Sequence, residues 1–210
     1  MNQDSSIGSI RLKNRELIIH SAIREFSQKG FSGTTIQAIA DRANLPKPNV
    51  HYYFGSKDKL YQAVLSHVMS LWDSTLDELT HASEPRTFIE QYIDKKITFS
   101  RENPEASRIF AAEILNGAPY IKSRFGGDYH NWFCGRRDIF KQWQTDGVIN
   151  PDISTDHLLF IIWASTQHYA DYEFQVKAAL GTRRLNASVY RDATNTLTTL
   201  VLAGLGLSQT

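Results

Sequence analysis

The sequence predicts an all-α protein of about nine helices, arranged as a small N-terminal helical domain followed by a larger C-terminal helical domain. Apolar residues recur at the three- and four-residue spacing of amphipathic helices along most of the chain, whereas the alternating pattern of strands is scarce. Helix-ending pairs such as Asn103-Pro104 and Asn150-Pro151 divide the chain into segments of helix length.

The first helix of the N-terminal domain is predicted by its apolar stripe. Leu17, Ile18, Ala22 and Phe26 fall on one face of a helix, and Gly30 ends it. Capping and turn residues define the other helices in the same way. We predict helices over residues 10–29, from Thr34 or Thr35 to Arg42, from Pro46 or Lys47 to Gly55, and over residues 57–81, 86–101, 105–115, 128–146, 155–180 and 187–205.

The composition excludes several classes of protein. The longest apolar run, residues 158–164, is too short to span a bilayer, and the first ten residues lack the basic start and apolar stretch of a signal peptide. A single cysteine, Cys134, excludes an internal disulfide framework and suits a reducing compartment. We therefore expect a cytoplasmic protein with no membrane association.

Charge is unevenly distributed along the chain. The net charge is only +1, but residues 1–60 carry nine Lys and Arg against five acids, and the remainder carries more acids than bases. A basic head on an acidic body indicates a polyanionic partner for the head. Chance fluctuation in a short window is the alternative explanation.

The second and third predicted helices have the spacing of a helix-turn-helix unit, in which the second helix of the pair enters the major groove of DNA. Pro46 and Pro48 fall in the first turn of the third helix, where a missing N–H costs little. Val50 and Phe54, four residues apart, are expected to pack inward. The alternative is a compact helical subdomain with a solvated basic face.

The outward side of the third helix carries groups suited to nucleic acid. Tyr52 and Tyr53 present hydroxyls that can bond phosphate oxygens, and Lys57, at the start of the fourth helix, adds charge to an anion site. The side chains expected to face bases are Lys47, Asn49 and His51.

The run TTIQAIA over residues 34–40, followed by NVHYYF over residues 49–54 and Ser56-Lys57, resembles the N-terminal domain of TetR-type repressors. The resemblance implies a homodimer that binds a palindromic double-stranded DNA operator. It implies a DNA-binding domain over residues 1–56 and an effector-binding and dimerisation domain over residues 57–210. It also implies base contacts from Lys47, Pro48 and His51, and phosphate contacts from Thr35, Tyr52 and Lys57.

Two positions depart from the family's pattern. Pro46 stands where the family often has a Ser or Thr cap, and Pro48 replaces a commoner Gly, Thr or Ala. The surface offered to the groove is therefore changed, and the operator sequence of a relative is not transferable.

The C-terminal domain resembles the pyrimidine-utilisation regulators of that family, through residues 103–119 and the run IWASTQHYADY over residues 162–172. The resemblance implies a small-molecule effector such as uracil, thymine or a related metabolite. Such a base needs an aromatic surface for stacking and a side chain that both donates and accepts, as Gln does. The predicted effector-binding residues are Trp72, Arg108, Glu113, Asn116, Trp163 and Gln167.

Other interpretations of these residues stay open at this stage. Trp72 and Trp163 can be plain core residues, and Gln167 can be a surface amide. A regulator of the same type could respond to an unrelated effector, such as an amino acid or a fatty acyl compound. His168 or Glu113 could serve a helical enzyme acting on a small heterocycle, and a constitutive DNA-binding dimer needs no effector at all. The pair His130 and Cys134 is too few ligands for a metal site, so we expect neither metal nor cofactor.

The dimer contact is predicted in the last two helices, because the bodies of TetR-type repressors meet as a four-helix bundle. The predicted interface residues are Leu158, Ile162, Tyr169, Leu197 and Val201.

Overall fold

A computed structural model describes residues 3–207, with side chains from residue 9 onward. This part of the chain contains ten α-helices, one short 3-10 helix and no strand, which confirms the predicted all-α class. The helices are α1 (Gln3–Gly33), α2 (Ile36–Ala43), α3 (Lys47–Phe54), α4 (Lys57–Asp77), α5 (Pro85–Glu102), α6 (Pro104–Leu115), the 3-10 helix (Lys122–Phe125), α7 (Gly127–Thr145), α8 (Thr155–Asp171), α9 (Glu173–Ala179) and α10 (Ala187–Gly204).

The helix boundaries differ from the prediction in three places. The segment expected as one helix over residues 155–180 breaks at Tyr172, whose φ of −113° and ψ of 29° lie outside the helical range. Helix α1 begins before the predicted start, because its polar first residues carry no apolar stripe for a sequence pattern to detect. Helix α4 ends early, where the Ser83 hydroxyl accepts from the Thr80 amide at 3.0 Å and closes a turn.

The chain folds into two compact units. The first comprises residues 1–69 and 108–123, and the second comprises residues 70–107 and 124–210. These packing units do not follow the predicted boundary at residue 56, because residues 57–69 and 108–123 belong to the same unit as helices α1 to α3. The division into a DNA-binding and an effector-binding domain concerns function and stays a prediction.

In the first unit, a buried ion pair joins α1 to α2. The Glu25 side chain, 4% exposed, accepts from Lys29 one helical turn away and from Arg42 of α2, both at 2.7 Å. These hydrogen bonds hold the pKa of the Glu25 carboxyl below its usual value, with the contact to Lys29 contributing most, against the opposing effect of desolvation. Gly30 interrupts α1 with a φ of 68°, and the Thr34 hydroxyl donates to its carbonyl at 2.8 Å.

The turn between α2 and α3 is fixed by its backbone. Asn44 adopts the left-handed conformation, with φ of 53° and ψ of 42°, that commonly ends a helix. The Leu45 amide then donates to the Ala40 carbonyl at 3.0 Å. Pro46 precedes α3 without a side-chain cap, as the sequence predicts. The turn therefore presents α3 at a defined angle to α2.

In the second unit, α5 packs against both α8 and α10, and α7 packs against α8. The buried face of α5 contains Phe88, Ile89, Tyr92, Ile93, Lys96, Ile97 and Ser100. One lysine therefore lies within an otherwise largely apolar stripe. No helix in residues 3–207 has the length and apolar content needed to cross a bilayer.

Candidate nucleic-acid interface and effector site

Helix α3 separates an inner apolar face from an outer polar one. Val50 and Phe54 are buried, at 1% and 8% exposure, whereas the Tyr52 side chain is 67% exposed. Lys47, Pro48 and His51 are exposed and Asn49 is half-buried. The helix therefore offers a continuous polar surface to a partner, and the inward packing expected from the sequence is confirmed.

The imidazole of His51 has a fixed orientation. Its Nδ1 lies 3.0 Å from the Gly55 carbonyl oxygen, which can only accept, so Nδ1 carries the proton. Nε2 is then left as the group that can meet a base edge.

Thr35 caps α2, and its hydroxyl can still donate a hydrogen bond. Its Oγ1 accepts from the Ala38 amide at 3.1 Å, and the residue is exposed. The hydroxyl proton remains able to donate to a phosphate oxygen at the helix N-terminus.

Lys57 has a role inside the first unit that the sequence does not reveal. Its Nζ donates to the carbonyl oxygens of Phe31 at 2.9 Å and Thr34 at 3.0 Å, and lies 4.5 Å from the centre of the Phe31 ring. The ammonium therefore ties the start of α4 to the end of α1. Its predicted phosphate contact stays a prediction and has to come from the remaining proton.

In the second unit, the buried Lys96 lies beside Trp72. The residue is 4% exposed, and its Nζ lies 4.9 Å from the centre of the Trp72 ring. Within residues 9–207, the Lys96 ammonium makes neither a hydrogen bond nor an ion pair, and its contact is with the Trp72 ring. Burial lowers the pKa of its ammonium to about 8, and the charges of Asp73 and Asp171 act in the opposite direction.

The other charges near Lys96 are also perturbed. Burial, and then repulsion from Asp77, raise the pKa of the Asp73 carboxyl to about 6, against the opposing effects of Arg124 and Lys96. Asp171 accepts a hydrogen bond from the Ser107 hydroxyl at 2.6 Å. We refer to Trp72, Asp73, Lys96 and Gln167 as the polar cluster of the second unit.

Trp163 is fixed beside this cluster by two kinds of contact. Its Nε1 donates to the Tyr92 hydroxyl at 2.6 Å, and the Phe133 and Phe160 rings lie 5.9 Å and 5.7 Å from it between centroids. The indole N–H is thus already used within the protein. Gln167, one turn further along α8, is half-buried, and its side-chain amide makes no hydrogen bond to a residue within 9–207.

Hydrogen bonds between α5 and α8 bracket Lys96 along its helix. Tyr92 meets Trp163 on one side, and on the other the Ser100 hydroxyl donates to the Thr166 carbonyl at 2.8 Å. Residues 92, 96 and 100 share one helical face. Lys96 therefore points toward α8 near the level of Trp163 and Gln167.

The other three predicted effector residues belong to the first unit. Arg108, Glu113 and Asn116 line a cavity of about 430 Å³ together with Phe31 and Tyr61. Glu113 is buried and accepts from the Tyr120 amide at 2.6 Å, and Asn116 donates to the Ala112 carbonyl at 2.7 Å. The six residues predicted to bind an effector therefore do not share one unit.

The predicted dimer residues differ in their exposure. Leu158, Ile162 and Val201 are buried in the core of the second unit, and Tyr169 and Leu197 are half-buried against it. Within one chain these side chains already have packing partners. The exposed apolar residues on the same helices are Phe160, Ile161 and Leu200.

His130 and Cys134 form a close pair on α7, with 3.4 Å between Nε2 and Sγ. Among the described residues, no group of three or more His, Cys, Asp or Glu is arranged to hold a metal ion.

Sequence reasoning missed Lys96 and Asp73. A sequence signal for Lys96 did exist, because this residue falls on the same face of α5 as Ile89, Ile93 and Ile97. A lysine within an apolar stripe is rarely buried without a reason, and this alone could have identified it.

The helix-turn-helix of the first unit, with an exposed recognition helix, defines a helical DNA-binding regulator. The sequence model of one protein family, bacterial regulatory proteins of the tetR family, matches residues 18–64. A second family model, that of the YcdC-like protein C-terminal region, matches residues 65–208. The chain belongs to the tetR family of bacterial regulatory proteins. Membership of this family indicates a transcriptional regulator.

Curated relatives extend over nearly the whole chain. The HTH-type transcriptional regulator RutR of Escherichia coli strain K12 is 35% identical over 191 residues, covering 91% of this chain and 90% of that protein. The HTH-type transcriptional repressor NicS of Pseudomonas putida is 25% identical and covers 92% of each. The narrower resemblance of the C-terminal domain is thereby confirmed as a similarity to RutR over nearly the whole chain.

Solved structures share the fold. The TetR family regulator PfmR of Thermus thermophilus superposes with a TM-score of 0.69 at 15% identity, over 90% of this chain and 98% of that one. Salmonella enterica GusR gives 0.63 at 18% identity, over 93% and 96%.

Proposed function

We propose that this protein is a ligand-responsive transcriptional regulator of the bacterial cytoplasm. As a homodimer it binds a palindromic operator through α2 and α3, and a small effector bound in the second unit changes that affinity. The effector proposed is uracil, thymine or a closely related pyrimidine metabolite.

The exposed face of α3 supports the DNA-binding part of the proposal. Lys47, Asn49 and His51 offer donors and acceptors to base edges, and Thr35 and Tyr52 offer hydroxyls to phosphates. Two copies of α3 in a two-fold dimer would read half-sites spaced by about one helical turn of DNA.

The buried ammonium of Lys96 carries the effector part of the proposal. A charged group taken out of water without a hydrogen-bond partner is costly, and such a cost is retained where a ligand supplies the partner. Lys96 donates but cannot accept, so it favours a ligand with a carbonyl or other acceptor oxygen. The carbonyl oxygens of uracil and thymine meet this requirement.

The rest of the polar cluster fits the same class of ligand. The Gln167 amide both donates and accepts, matching the alternating C=O and N–H groups of a pyrimidine base. Asp73, once ionised above a pH of about 6, can accept from a ring N–H. The indole of Trp72 offers a flat apolar surface for a flat ring.

Effector binding and operator binding are coupled if the effector has different affinities for two arrangements of the dimer. An effector that binds one arrangement of the dimer better than another shifts the population toward it and so changes operator affinity. By linkage, operator binding changes the affinity for the effector by the same factor. The direction of the change, and hence repression or activation, is left to experiment.

The test is a thermal-shift screen of the purified protein against nucleobases, nucleosides and pyrimidine breakdown products. At one hundred times the dissociation constant a bound effector adds about 2.7 kcal/mol, which raises Tm by a few degrees. The shift should vanish in Lys96→Met and persist in Lys95→Met, the matched control, because the half-buried Lys95 forms an ion pair with Glu78.

Two results would redirect the proposal. A shift with an unrelated metabolite only would keep the regulator and replace the pyrimidine. A shift with uracil that survives in Lys96→Met would remove Lys96, and with it the polar cluster, from the effector site.

A further inference from the structure

Residues 11–15 of α1 continue the face that packs inside the first unit. Arg11 and Arg15 are spaced four apart, and Ile18 and Ala22 follow at the three- and four-residue intervals of one helical stripe. Ile18 and Ala22 are fully buried. The two arginines therefore extend the packing side of α1 beyond the apolar core.

Both arginines lie over aromatic rings of the recognition helix. The Arg11 guanidinium carbon is 5.6 Å from the centre of the Tyr52 ring, and that of Arg15 is 5.5 Å from the centre of the Phe54 ring. These distances are within the range of cation–π contacts. A guanidinium stacked in this way keeps its N–H edges available for in-plane hydrogen bonds.

Neither arginine is neutralised within residues 9–207, since no carboxylate forms an ion pair with Arg11 or Arg15. Both residues are exposed, and so is Tyr52, on the outer face of α3. A guanidinium with no ion pair among these residues, beside an exposed tyrosyl hydroxyl, is a combination that matches a phosphate, which accepts from both.

We propose that Arg11 is an additional DNA-contacting residue, which donates to an operator phosphate beside the one contacted by Tyr52. The Tyr52 ring positions the guanidinium, and Arg15 adds positive charge one turn away. This inference rests on the proposed DNA binding and extends the contact surface from α2 and α3 to Arg11 in the N-terminal half of α1.

Lys13 supplies a matched control on the same helix. It lies two residues from Arg11, which turns it about 200° around the helix axis, and it carries the same charge and is also exposed. A general effect of positive charge would be shared by the two positions. A specific phosphate contact would be confined to Arg11.

The experiment measures the affinity of the full chain for a duplex selected by this protein from random DNA, by fluorescence anisotropy across a range of salt. Arg11→Ala should weaken binding roughly tenfold near physiological salt and lower the slope of log affinity against log salt by about two per dimer, one contact per protomer. Lys13→Ala should change affinity by less than about twofold and leave the slope unchanged.

The outcomes separate this inference from the proposed function. Failure of the wild type to select or bind any duplex removes the DNA-binding proposal itself. If the wild type binds, equal losses in Arg11→Ala and Lys13→Ala, or no loss in Arg11→Ala, overturn the assignment of Arg11. Arg11→Lys provides a further readout: it should restore the salt slope, because the charge returns, but only part of the affinity, because the stacking plane does not.

Discussion

The ammonium of Lys57 at the start of α4 donates to the backbone carbonyl of Phe31 at 2.9 Å and lies over the ring of the same residue. A second hydrogen bond reaches the Thr34 carbonyl. One side chain thus satisfies two carbonyls next to the break in α1, immediately before α2 begins. The position of the helix-turn-helix relative to α4 depends on it.

Replacing Lys57 by Met should therefore lower the stability of the protein. Two carbonyls lose their donor, and the expected decrease in the free energy of unfolding is about 1–3 kcal/mol. Urea denaturation measures it, with Lys59→Met as the control, since Lys59 is exposed. Equal stability of the two variants would show that the tie to Phe31 contributes nothing.

The ion pair of Glu25 with Lys29 and Arg42 should make the free energy of unfolding depend on pH in the acidic range. The folded pKa of this carboxyl is lowered, so its contribution is fully present above the unfolded pKa and is lost as pH falls through the folded value. Glu25→Gln should cost about 1–3 kcal/mol near neutral pH, because the hydrogen bonds lose their charge. The difference from the wild type should shrink in acid.

Glu16→Gln is the matched control for this prediction, because Glu16 is exposed on the same helix. Its stability should follow that of the wild type across the same pH range. A Glu25→Gln variant whose stability deficit stays constant down to the lowest pH would contradict the lowered pKa.

Unlike Glu25, Lys96 should lower the stability of the folded protein near neutral pH. Its folded pKa, about 8, lies below the ordinary value of 10.5, so the unfolded chain binds more protons between these values and stability rises with pH across that window. Lys96→Met should be more stable than the wild type at pH 7, by about 3 kcal/mol.

That advantage should shrink as pH rises from 8 toward 10.5, and chemical denaturation of both proteins at several pH values measures it. Lys95→Met should show no such trend. An advantage that does not change with pH would mean that Lys96 is not buried as a charge.

The dimer contact is expected on the exposed apolar side chains of the last helices. Ile161 and Leu200 are 57% and 65% exposed, so Ile161→Glu and Leu200→Glu should leave the core intact while placing charge in the interface. Light scattering after size exclusion should then report a monomer. Val148→Glu, an exposed apolar position between α7 and α8, should remain a dimer, and a dimer in all three variants would contradict this surface.

The helices and the helix-turn-helix were predictable because their signals are local. Apolar spacing, Gly30 and the prolines of α3 act within a few residues of themselves, and the inward packing of Val50 and Phe54 follows from a four-residue interval. The break at Tyr172 was not predictable, since no Gly or Pro marks it.

The contacts of the candidate sites join residues that are distant in sequence. Such contacts could not be predicted from local sequence patterns. Lys57 meets Phe31 across 26 positions, and Trp163 meets Tyr92 across 71. A charge near the start of a helix is compatible with a phosphate contact and with an internal tie, and only the tertiary structure reveals the tie. Leu158 lies in the core cluster of the second unit, which its apolar spacing alone does not distinguish from an interface, and its predicted place in the dimer contact stays a prediction.

Control of DNA binding by a pyrimidine can be measured in one pair of titrations. The dissociation constant of the wild-type protein for its selected duplex is determined by fluorescence anisotropy with and without saturating uracil at fixed salt. We expect uracil to change this constant by at least about fivefold. The same dissociation constant in both titrations, and again when thymine replaces uracil, would contradict pyrimidine control of DNA binding.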